Sequence, residues 1–123
     1  MNKKIREAVY DKYDGHCAYC GKKIELRDMQ VDHIVPLRRG DSEAILAKYG
    51  LERGSNDMSN LNPACRACNF RKGLLTVEQF REEIVNQCKH IIERSFQVRQ
   101  SLDYGLLEYH HHDIVFYFEK TKV

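Results

Sequence analysis

The chain has 123 residues, of which 42% are apolar and 31% charged, and its formal net charge is +2. That length leaves room for one hydrophobic core, and the composition excludes a disordered or fibrous chain. The net charge is too small to imply a polyanionic partner by itself, but the cations are unevenly spread. Ala64 to Leu74 carries Arg66, Arg71 and Lys72 without an acid, whereas Asp41 to Asp57 has more acids than bases.

The start, Met1 to Arg6, is basic, and no apolar run follows it, so no secretory signal is expected. No stretch approaches the length needed to span a bilayer. A cytoplasmic setting is expected, where paired cysteines hold metal in preference to forming disulfides. Lys3 to Tyr13 reads as a short helix with Ile5, Ala8, Val9 and Tyr13 near one face. Asp14-Gly15 stops it, and Cys17 to Gly21 follows as a tight turn. Met29 to Val35 reads as a strand ended by Pro36, with Asp32 and His33 on opposite faces.

Arg38 to Ser59 is a long connection with a short helix at Ser42 to Tyr49, and connections of this length are often functional. Asn60-Leu61-Asn62-Pro63 leads to a second cysteine pair, and Ala67 to Lys72 starts a helix that Gly73 ends. Thr76 to about Gln100 is predicted as one long helix. Thr76 with Gln79 and Leu75 with Phe80 fit its start, and Val77, Phe80, Ile84, Cys88 and Ile91 fit a core-facing stripe. Ile114 to Phe118 is β-branched and aromatic and reads as a final strand.

Two Cys-x-x-Cys pairs, Cys17/Cys20 and Cys65/Cys68, supply the four soft ligands of a closed structural zinc site. Closing the loop of about 45 residues between them costs about 3–4 kcal/mol. A structural zinc contributes on the order of 10–16 kcal/mol, so binding prevails. Redox use would need a single such motif in a βαβ setting, which the pattern lacks. The fifth cysteine, Cys88, is expected to be a small apolar residue on a helix face.

Between and beside the pairs stand Asp32-His33, Asn60 and Asn69. Phosphodiester hydrolysis needs a base for water, a cation for the phosphate and charge to meet the developing negative oxygens. His33 is the only nearby side chain of a type that titrates near neutral pH. Asp32 and Asn69 offer hard oxygen ligands suited to magnesium, and Lys72, with Arg66 and Arg71, offers cations for a DNA backbone.

From Lys3 to Leu75 the chain resembles the HNH nuclease family, with its ββα-metal (His-Me finger) fold. His33, Asn60 and Asn69 match the family's three letters, with Asn69 standing where the founding pattern has a second His. The resemblance implies an α+β protein with an HNH core over 1–75 and a helix plus C-terminal strand over 76–123 packing on it as one domain. It implies a metal-dependent endonuclease acting on double-stranded DNA, bacterial or phage-encoded, that leaves a 5′-phosphate. In that scheme His33 is the base and Asn60 holds the loop and orients it. Lys72 steadies the phosphate, and Asp32 and Asn69 bind magnesium or another divalent ion. The competing reading is a non-catalytic zinc module that binds nucleic acid or protein. His110-His111-His112 is expected to be a polar turn, since consecutive strand residues cannot all reach one ion. Lys89, Arg94 and Arg99 are expected to be a solvated face.

Overall fold

Asn2 starts the first helix, α1 (Lys3–Asp11), by accepting from Ile5 N at 2.9 Å. Val9 is buried, Ile5 and Tyr13 are half-buried, and Ala8 faces solvent. From this helix Arg6 Nη2 donates to the Leu26 and Met29 carbonyls, both at 3.0 Å, fixing the chain just ahead of the first strand. In the computed structural model, which describes residues 1–121, the last two residues of the predicted 76–123 segment lie outside the described residues.

Strand β1 (Gln30–His33) pairs antiparallel with β2 (Leu61–Ala64), placing Asp32 opposite Asn62 and His33 opposite Leu61. Alternation along β1 buries Asp32 and leaves His33 half-exposed, as the period of two requires. The strand stops short of Val35 because the Asn60 side chain takes both Val35 backbone groups, Val35 N donating to Oδ1 and Nδ2 donating to Val35 O. Helix α3 (Arg66–Lys72) follows β2 and completes a ββα unit, with Gly73 at its C-cap.

The long connection holds α2 (Glu43–Tyr49), capped by Ser42 and ended by Gly50 in the left-handed region. Beyond it Gly54 N donates to Pro36 O at 2.9 Å, and a Cβ on Gly54 would stand 1.8 Å from the Val35 oxygen. Only glycine permits that approach.

The chain forms two compact units, Met1–Val77 with Val115–Val123, and Glu78–Ile114. The expected long helix is two helices, α4 (Val77–Arg94) and α5 (Phe96–Asp103). Ser95 divides them: its hydroxyl accepts from Val98 N at 3.2 Å and caps α5. Arg99 Nη1 meanwhile donates to the Ile92 and Glu93 carbonyls that end α4. On α4 Phe80 is buried and Ile84 and Cys88 are half-buried, but Ile91 is 52% exposed, so the stripe does not bury its last turn. Lys89, Arg94 and Arg99 face solvent as expected, and His110 to His112 lie in an exposed irregular stretch.

The expected final strand at Ile114 to Phe118 is replaced by an irregular segment and one helical turn, α6 (Tyr117–Lys120). The Glu119 carboxylate accepts from Phe116 N at 2.8 Å and turns the chain into a helix where a strand would continue. Tyr117 N and Phe118 N donate to the carbonyls of Tyr19 and Ala18, tying the tail to the first cysteine turn.

Candidate functional site

The four cysteine sulfurs lie within 4.8 Å of one another, with Cys20 Sγ 3.9 Å from Cys65 Sγ. A tetrahedron of 2.3 Å metal–sulfur bonds has edges of about 3.8 Å, so this arrangement fits a four-coordinate ion. The first turn is positioned by Cys17 N donating to Lys22 O and Gly21 N donating to Cys17 O. Its approach to β2 is fixed by Ala18 N donating to Pro63 O at 2.8 Å. Cys65 is the N-cap of α3, accepting from Cys68 N through its sulfur. Hydrogen bonding from Cys68 holds the Cys17 thiol down at about 4, whereas Cys68 is pushed up by that same bond and Cys20 by burial. Four sulfurs this close ionise together only around a cation.

Helix α3 connects this cluster to the second constellation. Cys65, Cys68, Asn69 and Lys72 fall at i, i+3, i+4 and i+7 and share its inner face. Arg66, Ala67, Phe70 and Arg71 form the exposed outer face. Asn69 is thereby carried into a cleft of about 230 Å³ that Asp32 and His33 also line. The structure therefore brings together the base candidate and both candidate oxygen ligands expected from sequence.

Lys72 is placed differently from expectation. It was expected at the phosphate, yet its side chain has no solvent exposure. Its Nζ stands 3.2 Å from Asp32 Oδ2 and 3.3 Å from Oδ1, and donates to His33 O at 2.9 Å. The Tyr19 hydroxyl also donates to Asp32 Oδ2. Burial pushes the Asp32 carboxyl up against the pull of Lys72, and pulls Lys72 down against the pull of Asp32. Burial, then the Asp32 charge, pushes Tyr19 up, so its proton stays in this bond. A phosphate cannot reach the ammonium here, and Lys72 positions Asp32 and the His33 backbone.

A carboxylate offers about four lone-pair sites, and these contacts use two on Oδ2 and one on Oδ1. One Oδ1 site is left over, and Asn69, whose amide oxygen is of the hard type that divalent ions take, lines the same cleft. Tyr19 is itself packed edge-on by Phe116 and Phe118, with ring centroids 5.3 and 5.6 Å away. The tail thus braces the residue that holds Asp32.

His33 Nε2 lies 2.8 Å from Asn56 Oδ1. With the Asn56 amide oxygen facing the ring, a neutral His33 carries its proton on Nε2 and keeps the lone pair on Nδ1. Sequence reasoning missed Asn56, which sits in a loop without periodicity, 23 residues from its partner. Asn60 does not orient the ring itself. Its side-chain bonds go to Val35 and, at 2.8 Å, to Ser55 O, so it clamps the loop that presents Asn56. Arg66 and Arg71 stand on the exposed face of α3.

Residues 17–46 match the family described as HNH endonuclease. Over 71 residues the chain is 32% identical to the SPbeta prophage-derived putative HNH endonuclease YoqL of Bacillus subtilis (strain 168), covering 57% of this chain. It spans only 28% of that curated relative's length. Among solved structures, the Type II-C Cas9 enzyme from Actinomyces naeslundii superposes with a TM-score of 0.50 at 24% identity. That match covers 65% of this chain and 7% of the Cas9 chain, and it supports the fold. Among the described residues no helix is long and apolar enough to cross a membrane.

Proposed function

We propose that this chain, whose residues 17–46 match the HNH endonuclease family, is a cytoplasmic, metal-dependent endonuclease that hydrolyses phosphodiester bonds of double-stranded DNA. The observation that carries the reading is the convergence of Asp32, His33 and Asn69 on one cleft, with the His33 ring turned by Asn56. His33 Nδ1 takes the proton of the attacking water, while Nε2–H stays on the Asn56 amide. Asp32 and Asn69 would hold magnesium or a similar divalent ion, which would supply positive charge to meet the negative charge developing on the phosphate oxygens. Lys72 and Tyr19 keep the Asp32 carboxylate in its place. Zinc fits the four cysteines and acts as a structural staple, and Arg66 and Arg71 meet the DNA backbone.

The rival reading, a non-catalytic zinc module, draws on Asp32 already accepting from Tyr19 and Lys72. Nicking of supercoiled plasmid with magnesium, manganese or nickel separates the two. The nuclease reading expects cleavage that His33→Ala lowers by about 10²–10⁴-fold with binding and fold retained. No cleavage with any of the three ions, and no effect of His33→Ala, would leave the binding module.

A further inference from the structure

Burial of Lys72 leaves the cleft without the phosphate cation expected from sequence, yet an arginine lines it. Arg38 stands in the same cleft as Asp32, His33 and Asn69. Its backbone is left-handed, with φ 52°, a conformation that residues other than glycine and asparagine seldom adopt. The turn is held by neighbours: Arg53 Nη1 donates to Arg38 O at 2.6 Å, Asp41 N donates to it at 3.1 Å, and Gly54 N fastens Pro36 O. The side chain is anchored by Nη2 donating to Leu74 O at 3.0 Å, while its buried Nε has no hydrogen-bond partner among the described residues.

Folds seldom leave a buried guanidinium N–H unpaired, and backbone strain that persists is concentrated where ligands are gripped. Both departures occur at one residue, and that residue borders the base and the candidate metal ligands. A guanidinium has planar donors suited to phosphate oxygens. We propose that Arg38 binds a non-bridging oxygen of the phosphodiester in the cleft, the part expected of Lys72. The ligand's identity rests on the nuclease reading. Arg38 is a contact to substrate, and the Arg53–Gly54 segment aims it.

The test is duplex binding by fluorescence anisotropy across a salt series, without added magnesium, in a His33→Ala background. Adding Arg38→Gln should weaken binding about tenfold and flatten the slope of log K against log salt by about 0.9, the value of one phosphate contact. Arg38→Lys should keep the slope. A duplex with a neutral methylphosphonate, scanned along one strand, should weaken binding by the arginine protein at one position where the glutamine variant loses nothing further. In the His33 protein, Arg38→Gln should raise KM in step with the lost binding and lower kcat by about 10²–10³-fold. An unchanged slope overturns the proposal, whether melting temperature falls or not, and if the His33 protein still nicks plasmid the nuclease reading survives. A flattened slope in a protein that never nicks keeps Arg38 as a phosphate contact and sinks the nuclease reading instead.

Discussion

The role of Lys72 is open to a decisive perturbation, because burial and phosphate contact predict opposite phenotypes for its removal. Its side chain is 0% exposed and that of Asp32 is 4% exposed, with 3.2 Å between Nζ and Oδ2. In Lys72→Met the Asp32 carboxylate stays buried with the Tyr19 hydroxyl as its remaining close partner, and breaking such a pair costs about 3–5 kcal/mol. That is a large share of the 5–15 kcal/mol typical of a domain, and corresponds to a melting temperature lower by on the order of 20 °C. Asp32→Asn should cost a similar amount by stranding the ammonium. The double variant Lys72→Met/Asp32→Asn should recover at least half of the loss, because no uncompensated charge is left inside. Urea unfolding of the zinc-loaded proteins, followed by far-UV circular dichroism, gives the cycle. The reasoning fails if Lys72→Met is as stable as the parent while its DNA salt slope falls by about one contact. Lys72 would then be the phosphate ligand that its position in the sequence suggested.

Asn56→Ala should leave the melting temperature unchanged and lower kcat by about 10–100-fold, less than loss of the base itself; an unaltered rate would mean that the ring needs no fixed tautomer. Gly54→Ala should cost about 1–3 kcal/mol and slow nicking as the loop is pushed off Val35. Gly40→Ala, with nothing within 4 Å of the added methyl, should change neither melting temperature nor rate. Cys65→Ser should abolish one equivalent of bound zinc by elemental analysis and collapse near-UV ellipticity, whereas a folded, zinc-free serine variant would refute the staple.

The cysteine pairs and the three family positions were legible because their chemistry is local and their spacing fixed. Helix boundaries that rest on a cap were also legible, as at Ser42, Gly50 and Gly73. What escaped depends on contacts across the fold. Nothing local to Asn56 announces that it meets a ring 23 residues away. Ile114 to Phe118 has strand composition, but Glu119 caps Phe116 N and its aromatic rings pack on Tyr19. Lys72 was readable in principle, since it lies seven residues after Cys65 and three after Asn69 and so shares their helix face. A basic residue there pointed toward DNA only while its face was ignored.

That shared face explains how a four-cysteine metal site and the candidate reactive cleft fit into so small a fold. Helix α3 spans seven residues, a length at which an isolated helix is unstable in water. Its start is fixed by Cys65 and Cys68 in the sulfur cluster, and its end by Lys72 locked onto Asp32 and His33 O. Asn69 lies between the two anchors, one residue from a sulfur ligand. Its place in the cleft that His33 also lines follows from both ends being held at once. The sulfur cluster also fixes Ala18 against Pro63, and through Tyr19 it reaches Asp32. Each candidate oxygen ligand of the cleft is thus one residue or one hydrogen bond from the cluster's own supports. Loss of a metal held there would therefore act on the cleft's geometry directly, through Asn69 and Tyr19, as well as through general unfolding.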